Sequence, residues 1–118
     1  MVIKHIVISV GSHKYMISYG ILKRLHEKKF WDYSNIETIW ATSSGTIVSL
    51  FICLQYDWKT LDDFIIKRPW YELFKLKPGQ LLDFNTNKGI YTIEILREIV
   101  KPLLLGKGLL ENITLKEF

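Results

Sequence analysis

The segment Ala41-Thr42-Ser43-Ser44-Gly45 has residue types and spacing that suit nucleophilic chemistry. It lies between a β-branched apolar run and a second apolar run, which predicts a sharp turn from a strand into a helix. Such a turn lifts the central serine hydroxyl above the carboxyl end of the strand, at the positive end of the next helix. The spacing matches the nucleophile elbow G-x-S-x-G with Ala41 in place of the first glycine, so Ser43 is the candidate nucleophile. The alternative is that Ser43 or Ser44 simply caps the helix.

A serine nucleophile needs a base that accepts its proton. In α/β-hydrolases the acid and the histidine of a Ser-His-Asp triad follow the serine, but His5, His13 and His26 all precede Ser43. A triad is therefore unsupported, and the three histidines are predicted to be surface or loop residues. The turn Gly11-Ser12-His13-Lys14 fits neither the P-loop nor the dinucleotide-binding pattern, which argues against nucleotide binding.

Two strands and a helix are predicted to position Ser43. Ile3 to Val10 and Ile36 to Thr42 have the β-branched and aromatic character of strands. Between them, apolar residues in Ser18 to Phe30 recur at helical spacing. A connection of this length suits two parallel strands joined by a crossover helix. The sequence therefore predicts an α/β fold with a parallel sheet.

Three further helices are predicted after the elbow. The apolar run Thr46 to Leu54 is typical of a buried helix, although its β-branched residues leave a third strand as the alternative. A helix with Thr60 as its N-cap is expected to end before Pro69. A last helix is expected over Thr92 to Val100, stopped by Pro102.

The last residues carry a helix start signal. Thr114-Leu115-Lys116-Glu117 has the capping-box pattern, and the sequence ends at Phe118. Isolated helices need about 12 to 15 residues to be marginally stable. We therefore expect residues 1–118 to be a single domain that is incomplete at its C-terminus.

Composition excludes several classes of protein. The chain has 118 residues, 48% of them hydrophobic, and its one cysteine, Cys53, rules out a disulfide scaffold or a cysteine-rich zinc site. Cys53 is predicted to be a small core residue, and no metal or other cofactor is expected. Without a signal peptide or an apolar run of about 20 residues, the protein is predicted to be intracellular, and soluble or peripheral to membranes.

Charge gives little indication of a partner. The net charge is +4, and the most basic stretch, Lys23 to Lys29, is interrupted by Glu27. A solvated helix face is expected there, and no binding to nucleic acid. Core and core-edge packing is predicted for the four tryptophans, with interfacial contact to lipid as the alternative: Trp31, Trp40, Trp58 and Trp70.

In the order and spacing of these segments, the chain resembles the N-terminal part of the patatin-like phospholipases, or lipid acyl hydrolases. That family opens with a strand, a glycine-rich turn, a helix, a second strand and a G-x-S-x-G elbow. The corresponding segments here are Ile8 to Tyr15, Tyr19 to Leu25 and Ala41 to Gly45. The agreement covers residues 3 to about 55 and continues more loosely in Arg68-Pro69-Trp70 and Gly89-Ile90-Tyr91, which look similar to a subgroup with viral members.

The resemblance implies a three-layer fold and hydrolysis of lipid or phospholipid esters by a Ser-Asp dyad, with peripheral contact to membranes and no cofactor. Ser43 matches the nucleophile, and Ala41 and Gly45 match the flanking positions of the elbow. The oxyanion turn is matched by Gly11 through its backbone amide, by Lys14 through its charge, and by the position of Ser12.

Two departures from the family pattern bear on activity. Val10, Ser12 and Tyr15 stand where glycines are expected, and losing one oxyanion donor typically costs about 10²- to 10³-fold in rate. The family's dyad aspartate precedes glycine, whereas none of the aspartates here does: Asp32, Asp57, Asp62, Asp63 and Asp83. The chain alone is thus predicted to be weakly active or inactive. The alternative function is an inactive patatin-like remnant or lipid-binding module.

Overall fold

The structure, a computed structural model, describes residues 2–9, 15–75 and 93–118. The chain divides into two compact units, residues 1–66 and 67–118. The described residues form two strands, a short 3-10 helix over Tyr33–Asn35 and five α-helices. The strands are β1 (His5–Ser9) and β2 (Thr38–Thr42), and the helices are α1 (Tyr15–Glu27), α2 (Gly45–Cys53), α3 (Trp58–Lys67), α4 (Trp70–Leu73) and α5 (Ile93–Leu105).

The two strands confirm the predicted α/β class. β1 and β2 pair in parallel, with His5 beside Thr38 and Ser9 beside Thr42, and α1 lies between them in the chain. Both strands are shorter than predicted, and Val10 lies outside the described residues. Because the strands run in the same direction, their last residues, Ser9 and Thr42, lie at the same edge of the sheet.

The core of the first unit forms where α2 covers one face of the sheet. β1 buries alternate residues, Ile6 and Ile8. α2 packs against both strands and α1, and its buried residues include Val48, Phe51 and Ile52. Full burial of an apolar side chain of this size contributes about 1.5–3 kcal/mol. This packing anchors the helix that follows the predicted elbow.

α2 settles two predictions. Its helical conformation shows that the alternative of a third strand over residues 46–54 was wrong. The predicted place of Cys53 in the core was also wrong, because Cys53 is exposed. Cys53 lies one position beyond the buried pair Phe51 and Ile52, and a further 100° of helical rotation carries it off the covered face.

α1 ends three residues earlier than predicted. Lys29, with φ of 57°, takes the left-handed conformation that closes many helices. The N–H of Lys29 donates to the carbonyl of His26, and the N–H of Phe30 donates to the carbonyl of Leu25. These two bonds satisfy terminal carbonyls of the helix, so Phe30 is the residue after the cap and not part of α1.

α3 begins at Trp58, so the prediction of Thr60 as its N-cap was wrong. Asp57 performs this role: its Oδ1 accepts from the Thr60 N–H at 2.9 Å, and its Oδ2 accepts from the Thr60 hydroxyl at 2.6 Å. The side-chain and backbone hydrogen bonds from Thr60 hold the pKa of Asp57 below its usual value. A carboxylate competes well here because it accepts both bonds at once.

In the second unit, α5 continues through Pro102 to Leu105, so the predicted stop at Pro102 was wrong. Proline has no N–H, which leaves the carbonyl of Glu98, four residues earlier, without its helical donor. The guanidinium of Arg68 donates to that carbonyl through Nη2 at 2.7 Å. A side chain thirty positions away in the sequence thus replaces the missing helical bond.

The predicted capping box at Thr114 is confirmed. The carboxylate of Glu117 accepts from the Thr114 N–H at 3.0 Å and from its hydroxyl at 2.8 Å. The Glu117 N–H donates in return to the Thr114 hydroxyl oxygen at 3.4 Å. The backbone and side-chain hydrogen bonds from Thr114 hold the pKa of Glu117 below its usual value.

Arg68→Ala is expected to lower the free energy of unfolding by about 1 kcal/mol, because it removes the donor to the Glu98 carbonyl. In a Pro102→Ala background the backbone N–H at position 102 is restored, so the part of the loss that belongs to the hydrogen bond should disappear. Urea denaturation of the four variants measures the cycle. Arg68 also lies over the ring of Trp70, 5.2 Å from its centroid. Arg68→Ala removes this cation–π contact equally in both backgrounds. Equal losses in both backgrounds would contradict the assignment.

Candidate functional site

The predicted elbow is a two-residue turn. β2 ends at Thr42 and α2 begins at Gly45, so Ser43 and Ser44 alone reverse the chain direction. Ser43 has φ of 52°, in the left-handed region that favours glycine, and its side chain is exposed. A non-glycine residue in this region costs on the order of 1–3 kcal/mol, which the surroundings must offset.

Position distinguishes Ser43 from the other non-glycine residues with positive φ in the described chain, Lys29 and Gln55. Those two follow the ends of α1 and α2, where a left-handed residue ordinarily satisfies the terminal carbonyls. Ser43 instead precedes a helix, where no terminal carbonyl calls for this backbone. A serine with positive φ between a strand and a helix is consistent with the sharp, strained turn of a nucleophile elbow.

Gly45 allows α2 to approach β1 closely. A Cβ at position 45 would lie 2.9 Å from the backbone oxygen of Ile8 and 3.0 Å from its Cγ2. The oxygen belongs to the sheet and cannot move cheaply, so only glycine fits without displacement of the helix. Ala41, the other flanking position of the motif, is the register partner of Ile8 on β2. Ile8 therefore lies beside both flanking residues of the elbow.

Neither serine of the turn caps α2 with its side chain. Ser44 has helical φ and ψ of −61° and −17° and makes no capping bond, and its Oγ is buried without a hydrogen-bond partner. No residue of the described segments hydrogen-bonds the Ser43 hydroxyl. The first turn is held instead by Thr46, whose N–H and hydroxyl both donate to the Ser43 carbonyl. Among the described residues, this arrangement leaves the Ser43 hydroxyl without a bond to α2 and disfavours the capping alternative.

Ser44 has a backbone N–H without an acceptor among the described residues. This N–H lies at the positive end of the nine-residue helix α2. Sequence analysis placed the oxyanion donors at Gly11, Ser12 and Lys14, which lie outside the described residues. The parallel pairing of Ser9 with Thr42 places these two residues, each the last of its strand, at the same edge of the sheet. Ser44 was missed, although the residue after the nucleophile commonly serves in elbows.

The described aspartates are bonded elsewhere. Asp32 caps the 3-10 helix through Ser34, and Asp57 caps α3. Asp62 accepts from the Tyr19 hydroxyl and from the Lys23 ammonium, and Lys59 pairs with Asp63. Asp83 lies outside the described residues. The structure thus brings no described carboxylate into hydrogen bonding with Ser43.

The histidines also lie away from the elbow. His5 is exposed on β1, as predicted for a surface residue, but it begins the strand and pairs with Thr38, whose hydroxyl lies 2.8 Å from its Nδ1. Four residues of strand, about 13 Å, separate it from the edge that carries Ser43. His13 lies outside the described residues.

His26 is half-buried in α1, so its prediction as a surface or loop residue was wrong. Its ring packs 4.9 Å from that of Trp31, 4.8 Å from Tyr33 and 5.5 Å from Trp58, measured between centroids. The indole N–H of Trp58 donates to Nδ1 of His26 at 2.9 Å. Because an indole nitrogen only donates, the neutral His26 ring carries its proton on Nε2.

The tryptophans divide between core and surface. Trp31 is buried and Trp58 is half-buried in this aromatic cluster, as predicted for core and core-edge residues. Trp40 does not follow that prediction. It is 68% exposed on the sheet face opposite α2, beside its register partner Val7, which is 74% exposed. Only one face of the two-stranded sheet is packed, which explains the exposure.

The described segments show neither a metal-ligand cluster nor a membrane-spanning helix. They contain no group of three or more His, Cys, Asp or Glu residues that could hold a metal ion. None of their helices is both long and apolar enough to cross a membrane.

Gly45→Ala is expected to lower the free energy of unfolding by about 1–3 kcal/mol, because the new methyl group overlaps the Ile8 carbonyl. Gly20→Ala is the matched control, since Gly20 is also helical and a Cβ there meets nothing within 4 Å. The control should raise the same free energy by about 0.5–1 kcal/mol. Urea denaturation measures both, and equal effects of the two substitutions would refute the close approach of α2.

Comparison with known proteins gives no match: no family model, no curated protein and no solved structure is similar to this chain.

Proposed function

We propose that this chain is part of a serine acyl hydrolase of the patatin-like type, which acts on acyl esters of lipids with Ser43 as nucleophile. The observation that carries the proposal is the left-handed backbone of Ser43, φ 52°, in a two-residue turn between a parallel strand and a helix. The resemblance of the sequence to lipid acyl hydrolases supplies the substrate class, a lipid or phospholipid ester met at a membrane surface.

The reaction proceeds through an acyl-serine. The Ser43 oxygen bonds to the acyl carbon while its proton passes to a base, and the ester C–O bond breaks as that proton moves to the leaving alcohol. Water then attacks the acyl-serine, releases the fatty acid and restores the hydroxyl. In each step the anionic oxygen is held by the Ser44 N–H and by the turn that contains Gly11, Ser12 and Lys14.

The proposal assigns the base to an aspartate outside this sequence. Each described aspartate has a structural partner, and no aspartate of the chain precedes glycine. A serine without a base is a poor nucleophile at neutral pH, so the chain by itself should hydrolyse esters slowly.

A three-layer fold is also part of the proposal. Parallel sheets are almost always covered by helices on both faces, and Val7 and Trp40 are exposed on the second face here. This exposure supports a larger sheet domain in which further helices cover that face.

An inactive remnant or lipid-binding module is the alternative. The Ser43 hydroxyl has no partner in the described segments, and Val10, Ser12, Tyr15 and Ala41 stand where the family pattern has glycines. These observations favour a chain that keeps the elbow scaffold without turnover.

Ser43→Ala is expected to abolish labelling of the chain by a fluorophosphonate and to lower p-nitrophenyl butyrate hydrolysis at least about tenfold, because the attacking oxygen is lost. Mass spectrometry should locate the label of the wild-type protein on Ser43. Ser44→Ala is the matched control: it removes a buried hydroxyl but keeps the backbone N–H, so labelling should persist.

Labelling that survives in Ser43→Ala would overturn the assignment of the nucleophile. A wild-type protein that binds phosphatidylcholine vesicles but gives no label even after prolonged incubation with excess fluorophosphonate would select the lipid-binding module.

A further inference from the structure

We infer that Thr46 is a positioning residue that fixes the peptide unit between Ser43 and Ser44 and thereby aims the Ser44 N–H at the oxyanion. The inference rests on the proposed function, because it names a residue that the elbow needs and that does not itself touch the substrate.

Thr46 holds the Ser43 carbonyl with two bonds. Its backbone N–H donates to that oxygen at 3.0 Å, and its hydroxyl donates to the same oxygen at 2.6 Å. The backbone bond alone would allow the carbonyl to tilt about one axis. The second donor, from a different direction, restricts this tilt, so the carbonyl stays turned toward the first turn of α2.

The peptide unit transmits this restriction to Ser44. A trans peptide is planar, and its C=O and N–H point in opposite directions. No cis peptide bond occurs among the described residues. With the Ser43 carbonyl turned toward α2, the Ser44 N–H points away from the helix, out of its N-terminal end, and the preceding residue, Ser43, is exposed.

The strained backbone of Ser43 is fixed by two groups, Gly45 and the Thr46 hydroxyl. A residue at φ 52° relaxes unless its surroundings over-determine its backbone. Gly45 fixes the start of α2 against Ile8 on one side of the turn. The Thr46 hydroxyl fixes the peptide unit that joins Ser43 to that helix. Removal of the hydroxyl would leave the fold in place while loosening the donor.

Ser49 provides an internal control. Its hydroxyl donates to the Thr46 carbonyl at 2.7 Å, which is the same bond from a side chain to the carbonyl three residues earlier. Such bonds are common within helices and have no functional meaning by themselves. The Ser49 bond lies within α2, away from the elbow, so its loss measures the purely structural effect.

The test compares Thr46→Val, Thr46→Ser and Ser49→Ala in the full chain. A fluorophosphonate is the first probe: its phosphorus bonds to the Ser43 oxygen, the P–F bond breaks, fluoride leaves, and the hydroxyl proton goes to solvent. Hydrolysis of p-nitrophenyl butyrate gives kcat and KM separately, and urea denaturation gives the stability of each variant.

Thr46→Val is expected to lower kcat and the rate of labelling about tenfold, with KM changed by less than about twofold, because orientation of the donor matters in the transition state. Thr46→Ser keeps the hydroxyl and should restore both rates to within about threefold of wild type. Ser49→Ala should leave both rates within about twofold.

Each failure has its own signature. Because the chain by itself is expected to react slowly, a wild-type protein that gives no label on Ser43 even after prolonged incubation with excess fluorophosphonate overturns the proposed function and, with it, the inference. A wild-type protein that reacts at Ser43 while Thr46→Val reacts as fast as Ser49→Ala overturns the inference alone. A rate loss in Thr46→Val that the serine variant does not reverse also overturns it, because the effect would then not belong to the hydroxyl.

Discussion

The contact between Gly45 and Ile8 determines how the rest of the site is built. With only a hydrogen on its α-carbon, position 45 lets the first turn of α2 rest on the backbone of β1. Only two residues, Ser43 and Ser44, lie between the end of β2 at Thr42 and the start of α2 at Gly45. The chain must reverse its direction within these two residues. A turn this short needs a left-handed residue, which Ser43 supplies with an exposed hydroxyl. Close packing thus goes with the strained backbone, and the strained backbone presents the proposed nucleophile.

Local patterns predicted the strands, the crossover helix and the elbow because these elements follow from residue spacing alone. Hydrophobic periodicity identified β1, β2 and α1, and small residues between two apolar runs identified the turn at Ser43. Helix ends were predicted less well, because they depend on which side chain hydrogen-bonds to the backbone groups at the end of the helix. Asp57 outcompetes Thr60 at the start of α3, since a carboxylate accepts both of the bonds that Thr60 donates. Arg68 replaces the hydrogen bond that Pro102 removes. The residue spacing within α5 does not indicate this contact, because Arg68 lies outside the helix.

The candidate site shows the same division. Residue types pointed to Ser43, Ala41 and Gly45, whose proposed roles depend on size and hydroxyl chemistry. They did not point to the Ser44 amide or to Thr46, whose proposed roles depend on the direction of a peptide unit. Every non-proline residue has a backbone N–H, so residue types alone do not indicate that the Ser44 N–H has no acceptor among the described residues. The exposure of Trp40 was missed for a related reason, since a strand pattern does not reveal which of its faces is covered.

The contacts that shape the elbow are all between uncharged groups: a glycine against a backbone oxygen, and a hydroxyl and an amide on a carbonyl. The hydrogen bonds that Asp62 of α3 accepts from Tyr19 and Lys23 of α1 are different in kind, because Asp62 is charged. Burial opposes that charge, but the hydrogen bonds from Lys23 and Tyr19 hold the pKa of Asp62 below its usual value. The interaction of Asp62 with Lys23 and Tyr19 therefore weakens as the pH falls through the lowered pKa of Asp62, whereas residues 41–45 contain no group that titrates. Ionic strength should likewise leave the turn unchanged, since screening acts only on charges. Acidity and salt can thus alter the helices around Ser43 before they alter the turn that presents it.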